Sequence, residues 1–221
     1  GKEIARQLAA AGLTVYVGSR DAERGRTAAE EIGGDSRPLV LDVTDPASVA
    51  RAVSGVGALD ILVNNAGVSS DGTSPEQEGV EEFRRVYETN VFGVVAVTNA
   101  FLPVLRRSAH PRIVNISSGT GSLAWASDPQ SPFANGRLAA YRSSKAALNA
   151  ITVFYAHSLA AEGVKVNALA PGLRRTDLNA TAAASGGDPA EAAAGAVRLA
   201  LLPDDGPSGE FVSWDGTSSP W

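Results

Sequence analysis

Tyr141 and Lys145 stand four positions apart in Tyr-Arg-Ser-Ser-Lys. On a helix that spacing puts both side chains on one face. A phenol titrates near 10 and is a poor proton donor at neutral pH. Lowering it by about three pH units takes about 4 kcal/mol of preference for the phenolate. A cation about 4 Å away supplies roughly 1 kcal/mol in bulk water but about 4 kcal/mol at an effective dielectric near 20. The pair is therefore an acid–base device only inside a partly closed site. On an open surface it is a packed tyrosine above an ordinary lysine. Lys2, Lys145 and Lys165 are the only lysines, so one inside a motif stands out.

Other residues with chemical use follow short apolar runs. Ile61-Leu62-Val63 leads into Asn64-Asn65-Ala66-Gly67, where the small pair lets something flat approach the backbone. Ile113-Val114-Asn115-Ile116 leads into Ser117-Ser118, hydroxyls able to polarise a substrate oxygen. The run at 164–169 leads into Ala170-Pro171-Gly172, a tight turn, with Thr176 beyond it. Taken singly, each also fits an ordinary strand-ending turn.

The elements that position these residues alternate. Strands are expected at 14–17, 37–43, 59–63, 112–117, 164–169 and 210–214, the one at 37–43 buried. Helices are expected at 4–10, at 22–32 before Gly33-Gly34, and from Asp45-Pro46 to 56. Further helices are expected at 75–87, 90–107 and 138–161. Residues 118–136 read as a long loop. The alanine-rich 181–197 segment reads as a mobile lid hinged at Gly186-Gly187. This order implies α/β architecture: a doubly wound parallel sheet with helices on both faces, Rossmann-type, in one domain over 1–221. Ligands in such sheets bind beyond the carboxyl ends of the strands, where the residues above lie.

Composition bounds the function. The 221 residues carry 24 acidic and 19 basic side chains, a net charge of −5 that gives no footprint for nucleic acid. There is no cysteine, and His110 and His157 are the only histidines, so no metal site is expected. No apolar run approaches the ~18 residues needed to span a bilayer, and a cytoplasmic location is the default. Arginine greatly outnumbers lysine, read as the coding bias of a bacterial chain. No G-x-S-x-G occurs, which disfavours a serine hydrolase.

In order and placement, Asn64-Asn65-Ala66-Gly67, Asn90 in Thr89-Asn90-Val91, Ser118, Tyr141 with Lys145, and Pro171-Gly172 with Thr176 resemble the short-chain dehydrogenase/reductase family. The resemblance implies a nicotinamide-dependent oxidoreductase acting on a small carbonyl or alcohol substrate. Tyr141 would be the general acid or base. Lys145 would lower its pKa and hold the nicotinamide ribose, Ser118 would polarise the carbonyl, and Asn90 would hold a water in the proton relay. Cofactor contacts would come from Gly1, Asp42, Val43, Asn64, Ala66, Gly67, Pro171, Gly172 and Thr176, besides Tyr141 and Lys145. The second strand of the family's sheet ends here in Ser19-Arg20, without a carboxylate, which favours NADP over NAD; Asp21 counts weakly against. Arg174-Arg175 lies where it would touch substrate or phosphate.

Two departures from the family pattern stand out. Ser118 and Tyr141 are 23 positions apart (141 − 118). The added segment at 119–140 looks like the insertion of the carbonyl-reductase-like subset, where it covers an oligomer face; a monomer is compatible, and a homo-oligomer also. The long spacing leaves Ser117 and Ser122 as alternatives to Ser118. The family also opens with a strand and a glycine-rich loop whose last glycine falls at Gly1. There is no methionine, even at position 1, so the first strand and most of that loop are expected to lie upstream. The alternatives are a non-catalytic nucleotide-binding or regulatory relative, and an epimerase or dehydratase using the same Tyr-Lys pair.

Overall fold

The computed structural model describes residues 1–70, 74–184 and 187–221. Helix α1 (Lys2–Ala10) buries Ile4 and Leu8, one turn apart. Strand β1 (Val15–Ser19) pairs in parallel with β2 (Ser36–Val40). Between them α2 (Ala22–Ile32) starts at Asp21, whose carboxylate accepts from Arg24 N, and ends at Gly33 with φ 74°. Helix α3 (Pro46–Ser54) has the expected Asp45 cap and Pro46 start.

Strand β3 (Ile61–Asn64) begins a second parallel sheet, continued by β4 (Arg112–Ile116), β5 (Lys165–Ala170) and β6 (Phe211–Ser213). Asn64 is level with Asn115, Ile116 with Leu169, and Ala170 with Ser213. The carboxyl ends are thus in line, and the candidate residues leave from one edge. The strands form two parallel sheets, of two and four, and β1 and β3 are not hydrogen-bonded to each other, as expected where the family's first strand is absent between them. Apolar packing holds the two together. Val15 of β1 and Ile61 and Val63 of β3 pack on the cluster that contains Ile4 and Leu8.

Several expectations need correction. The 37–43 strand is an edge strand, with Val40 49% exposed; Pro38 has no N–H to give a neighbour, which suits an edge. Residues 75–79 form turns, and the helix there begins only at Val80. Helices α4 (Val80–Tyr87) and α5 (Gly93–Leu105) join through a π-turn at Glu88–Phe92 into one 26-residue helix. That helix meets the length and composition test for a membrane span, but 56% of its most apolar stretch is buried against the protein. The stretch expected as a loop holds a 3-10 turn (Gly119–Gly121) and the short helix α6 (Leu123–Ser127). Helix α7 (Ala139–Ser158) carries Tyr141 and Lys145.

The alanine-rich segment splits into α8 (Ala180–Ala184) and α9 (Pro189–Ala200). Helix α9 is no lid. Its Ala193, Ala196, Leu199 and Ala200 are buried in the same cluster as Ile4 and Leu8. Small side chains there serve close helix packing: a Cβ on Gly195 would lie 2.9 Å from Trp214 O. Of the proposed hinge, Gly186 falls outside the described residues.

Candidate active site

Strand β4 hands the chain to Ser118, and α7 rises beside it. The Ser118 side chain is close enough to the Tyr141 hydroxyl to pull its pKa down. Ser118 shares a 2.9 Å bond with Thr120 Oγ1. Of the alternative serines, Ser117 donates to Asn149 Oδ1, and Ser122 accepts from Trp125 N as the cap of α6. Both hydroxyls are spent away from Tyr141.

One turn along α7, Lys145 Nζ donates to Ile116 O at 2.8 Å. It lies 5.9 Å from the centre of the Tyr141 ring. Tyr141 and Lys145 are both buried. Burial pushes the Tyr141 hydroxyl above the ordinary phenol value, and the neighbouring Ser118 side chain offsets this in part. Burial also lowers the Lys145 ammonium, to about 8. The closed site that the pair requires is present, and desolvation is the leading influence on both groups.

Asn90 is fully buried in the π-turn, a distortion that commonly marks functional sites. Its Oδ1 accepts from Val68 N, and its Nδ2 donates to Val68 O and Ser144 Oγ, each at 2.9 Å. Both amide hydrogens are therefore used. The amide clamps the loop after β3 onto α7. Ser144, which sequence reasoning passed over, completes the clamp by donating to Tyr141 O at 2.6 Å.

Gly67 lies between these groups. A Cβ there would be 3.5 Å from both Asn90 Oδ1 and Lys145 Nζ. Gly1, at the start of α1, sits against Asn65; a Cβ would come within 2.7 Å of its Nδ2. The first helical turn is thus beside the end of β3. Ala66 is exposed there. Asn64 is turned inward, its Nδ2 donating to Thr98 Oγ1 and Asn115 Oδ1. At the end of β5, Gly172 has φ 69°, and a Cβ would meet Trp214 at 3.3 Å. Thr176 is exposed four residues on. Arg174 is largely buried, its guanidinium 4.3 Å from the centre of the Trp214 ring and 3.5 Å from Glu191 Oε2.

A second group gathers at the ends of β1 and β2. Ser19 donates to Asp21 O at 2.8 Å, and Arg20 is exposed. The Asp21 carboxylate is committed to the α2 cap. Asp42 accepts from Thr44 N and Oγ1, bonds that hold its carboxyl below the usual range, with Arg20 adding to the effect. Val43 packs on Gly93, where a Cβ would lie 2.8 Å from its Cγ2.

Glu78 was also missed. It is 7% exposed; its Oε1 accepts from Ser70 Oγ at 3.1 Å and its Oε2 from Ala140 N at 2.7 Å. No local pattern marks it, since its partners are 8 and 62 positions away.

The residues suit a dinucleotide. Lys145 Nζ has three N–H donors and one hydrogen-bond acceptor among the described residues. Small residues at Gly67 and Gly172 leave room where side chains would intrude.

Comparison with known proteins gives a consistent result. Residues 1–185 match the family model for short chain dehydrogenase. Salutaridine reductase of Papaver bracteatum is 32% identical, over 96% of this chain and 89% of its own. The fold superposes on an NADPH-bound carbonyl reductase from chicken fatty liver with a TM-score of 0.82 and 27% identity, covering 100% of this chain and 96% of that one. It superposes on a Brucella melitensis 3-ketoacyl-(acyl-carrier-protein) reductase complexed with NADH with a TM-score of 0.84 and 25% identity, covering 96% and 90%.

Proposed function

Because the chain belongs to the short-chain dehydrogenase/reductase family, we propose that it moves a hydride between a nicotinamide cofactor and the carbonyl carbon of a small ketone or aldehyde, with Tyr141 as the acid–base group. The observation that carries this reading is the meeting of Tyr141 and Ser118 in a buried site, with Lys145 one turn behind, its Nζ 5.9 Å from the centre of the Tyr141 ring. The cofactor, when bound, supplies the hydride; the protein supplies position and electrostatics.

In reduction, Ser118 donates a hydrogen bond to the substrate oxygen and Tyr141 passes its proton to that oxygen. The negative charge left on the phenol is stabilised by the Lys145 ammonium. Burial keeps Tyr141 protonated at neutral pH, the form an acid needs. Lys145, lowered to about 8, is able to release a proton near neutral pH and so to reprotonate Tyr141. Lys145 also holds the nicotinamide ribose. Asn90 keeps the Gly67–Val68 backbone close to Lys145. In oxidation the same groups run in reverse.

NADP is the favoured cofactor. Arg20 is exposed beside Ser19 and near Asp42, and Asp21, the one carboxylate next in sequence, is used as a helix cap. A guanidinium there suits a 2′-phosphate. Both cofactors occur among the similar structures: the chicken carbonyl reductase holds NADPH and the Brucella melitensis reductase holds NADH. Gly1, Ala66, Gly67, Pro171, Gly172 and Thr176 complete the cofactor's surroundings, and residues 1–221 act as one domain. The test is a panel of aldehydes, ketones and quinones read by loss of NADPH absorbance. Turnover of at least one ketone or aldehyde is expected; none across the panel, with NADPH bound, would overturn the reading.

A further inference from the structure

We infer that Glu78 is a positioning residue for Tyr141: its buried carboxyl caps the first turn of α7 and fixes the phenol against Ser118. The inference rests on the function proposed above and adds a residue outside the Tyr-Ser-Lys set.

The need for such a group follows from the start of α7. The first amides of a helix have no acceptor within it. A side-chain oxygen just before the helix normally satisfies one. Here the preceding residues are Gly136, Arg137 and Leu138, none of which carries an acceptor. Leu138 is in the left-handed region, at φ 59°, and gives no side-chain cap. Glu78 fills the role from outside: its Oε2 accepts from Ala140 N at 2.7 Å. A carboxylate at a helix amino terminus also interacts favourably with the helix dipole.

Its position matters to the chemistry. Tyr141 is the third residue of α7, in the turn most prone to fray. Lys145 is one turn deeper and already tied to β4 through Ile116 O. Without Glu78 the phenol and the ammonium would be held with unequal firmness. With it, both ends of the pair are fixed to separate parts of the fold. The other carboxyl oxygen accepts from Ser70, in the segment that Asn90 clamps at Val68. Cap, clamp and catalytic turn are therefore one connected set. Gly136 supports the same junction, since a Cβ there would lie 3.4 Å from Pro75.

The test compares wild type with Glu78→Ala and Glu78→Gln, by steady-state reduction of the best panel substrate, NADPH titration, and residue-resolved amide exchange of Ala140. In Glu78→Ala, kcat is expected to fall at least tenfold and Ala140 to exchange at least tenfold faster, with the Kd for NADPH within twofold of wild type. Gln keeps an oxygen for Ala140 N and is expected to restore kcat to within threefold. A folded Ala variant with kcat or Ala140 exchange within twofold of wild type would overturn the inference. If the Ala variant does not fold, wild-type exchange and the Gln variant decide: an unprotected Ala140 amide in wild type, or a folded Gln variant as impaired as one lacking Tyr141, would overturn it. Wild type without turnover on the panel would instead count against the proposed function, and the exchange arm would still decide the role of Glu78.

Discussion

Lys145 donates from Nζ to the main-chain oxygen of Ile116 at 2.8 Å, which ties the catalytic helix to the end of β4. The bond holds a cation in a place from which water is largely excluded. Burial is what lowers its pKa to about 8. The fold accepts this cost beside Tyr141, where a cation in a low dielectric acts most strongly.

The cost predicts an inverse relation between stability and activity at this position. Lowering an ordinary 10.5 to about 8 corresponds to about 3 kcal/mol against the buried ammonium. Lys145→Met removes that penalty and loses one hydrogen bond, worth about 1 kcal/mol. The variant is expected to be inactive yet about 1–2 kcal/mol more stable at pH 7 by urea unfolding. Because the folded pKa is below the unfolded one, the unfolded wild type binds more protons between about pH 8 and 10.5. Wild-type stability gains from this group across that window, so the advantage of the variant shrinks there. A Met variant less stable than wild type at pH 7 would contradict this.

Asn90 makes a different prediction. Its removal leaves Val68 N, Val68 O and Ser144 Oγ each short of a partner. Asn90→Ala should destabilise the protein by about 2–4 kcal/mol in denaturant unfolding. A change below about 0.5 kcal/mol, the range of neutral surface substitutions, would show that the clamp contributes little.

At the cofactor end, Arg20→Asp is expected to weaken NADPH about tenfold or more, the effect of losing one charge-assisted contact, and to leave NADH nearly unchanged. Fluorescence titration of both nucleotides reads the difference. Equal losses for the two would remove Arg20 from phosphate recognition.

The sequence made legible those parts of the site that rest on local pattern. The i, i+4 spacing placed Tyr141 and Lys145 on one turn-to-turn face, and α2 and α3 follow their Gly33 and Asp45 signals. Asp21 was weighed only as a cofactor residue, although its place before Ala22 is that of a helix cap. The π-turn was hidden because no glycine or proline marks Glu88–Phe92. Glu78 and Val68 were hidden for another reason: their bonds to Ala140 and Asn90 join segments far apart in the chain. The small residues of α9 suggested mobility, whereas they permit close packing against Trp214 and the α1 cluster.

In the proposed reaction the Tyr141 hydroxyl delivers the proton. Single-turnover reduction of a ketone by Tyr141→Phe, followed by NADPH absorbance, addresses it most directly. The rate is expected to fall by about 10²–10⁴-fold, the contribution of a positioned general acid, with NADPH affinity within about twofold of wild type. Reduction at the wild-type rate in the folded Phe variant would contradict the account.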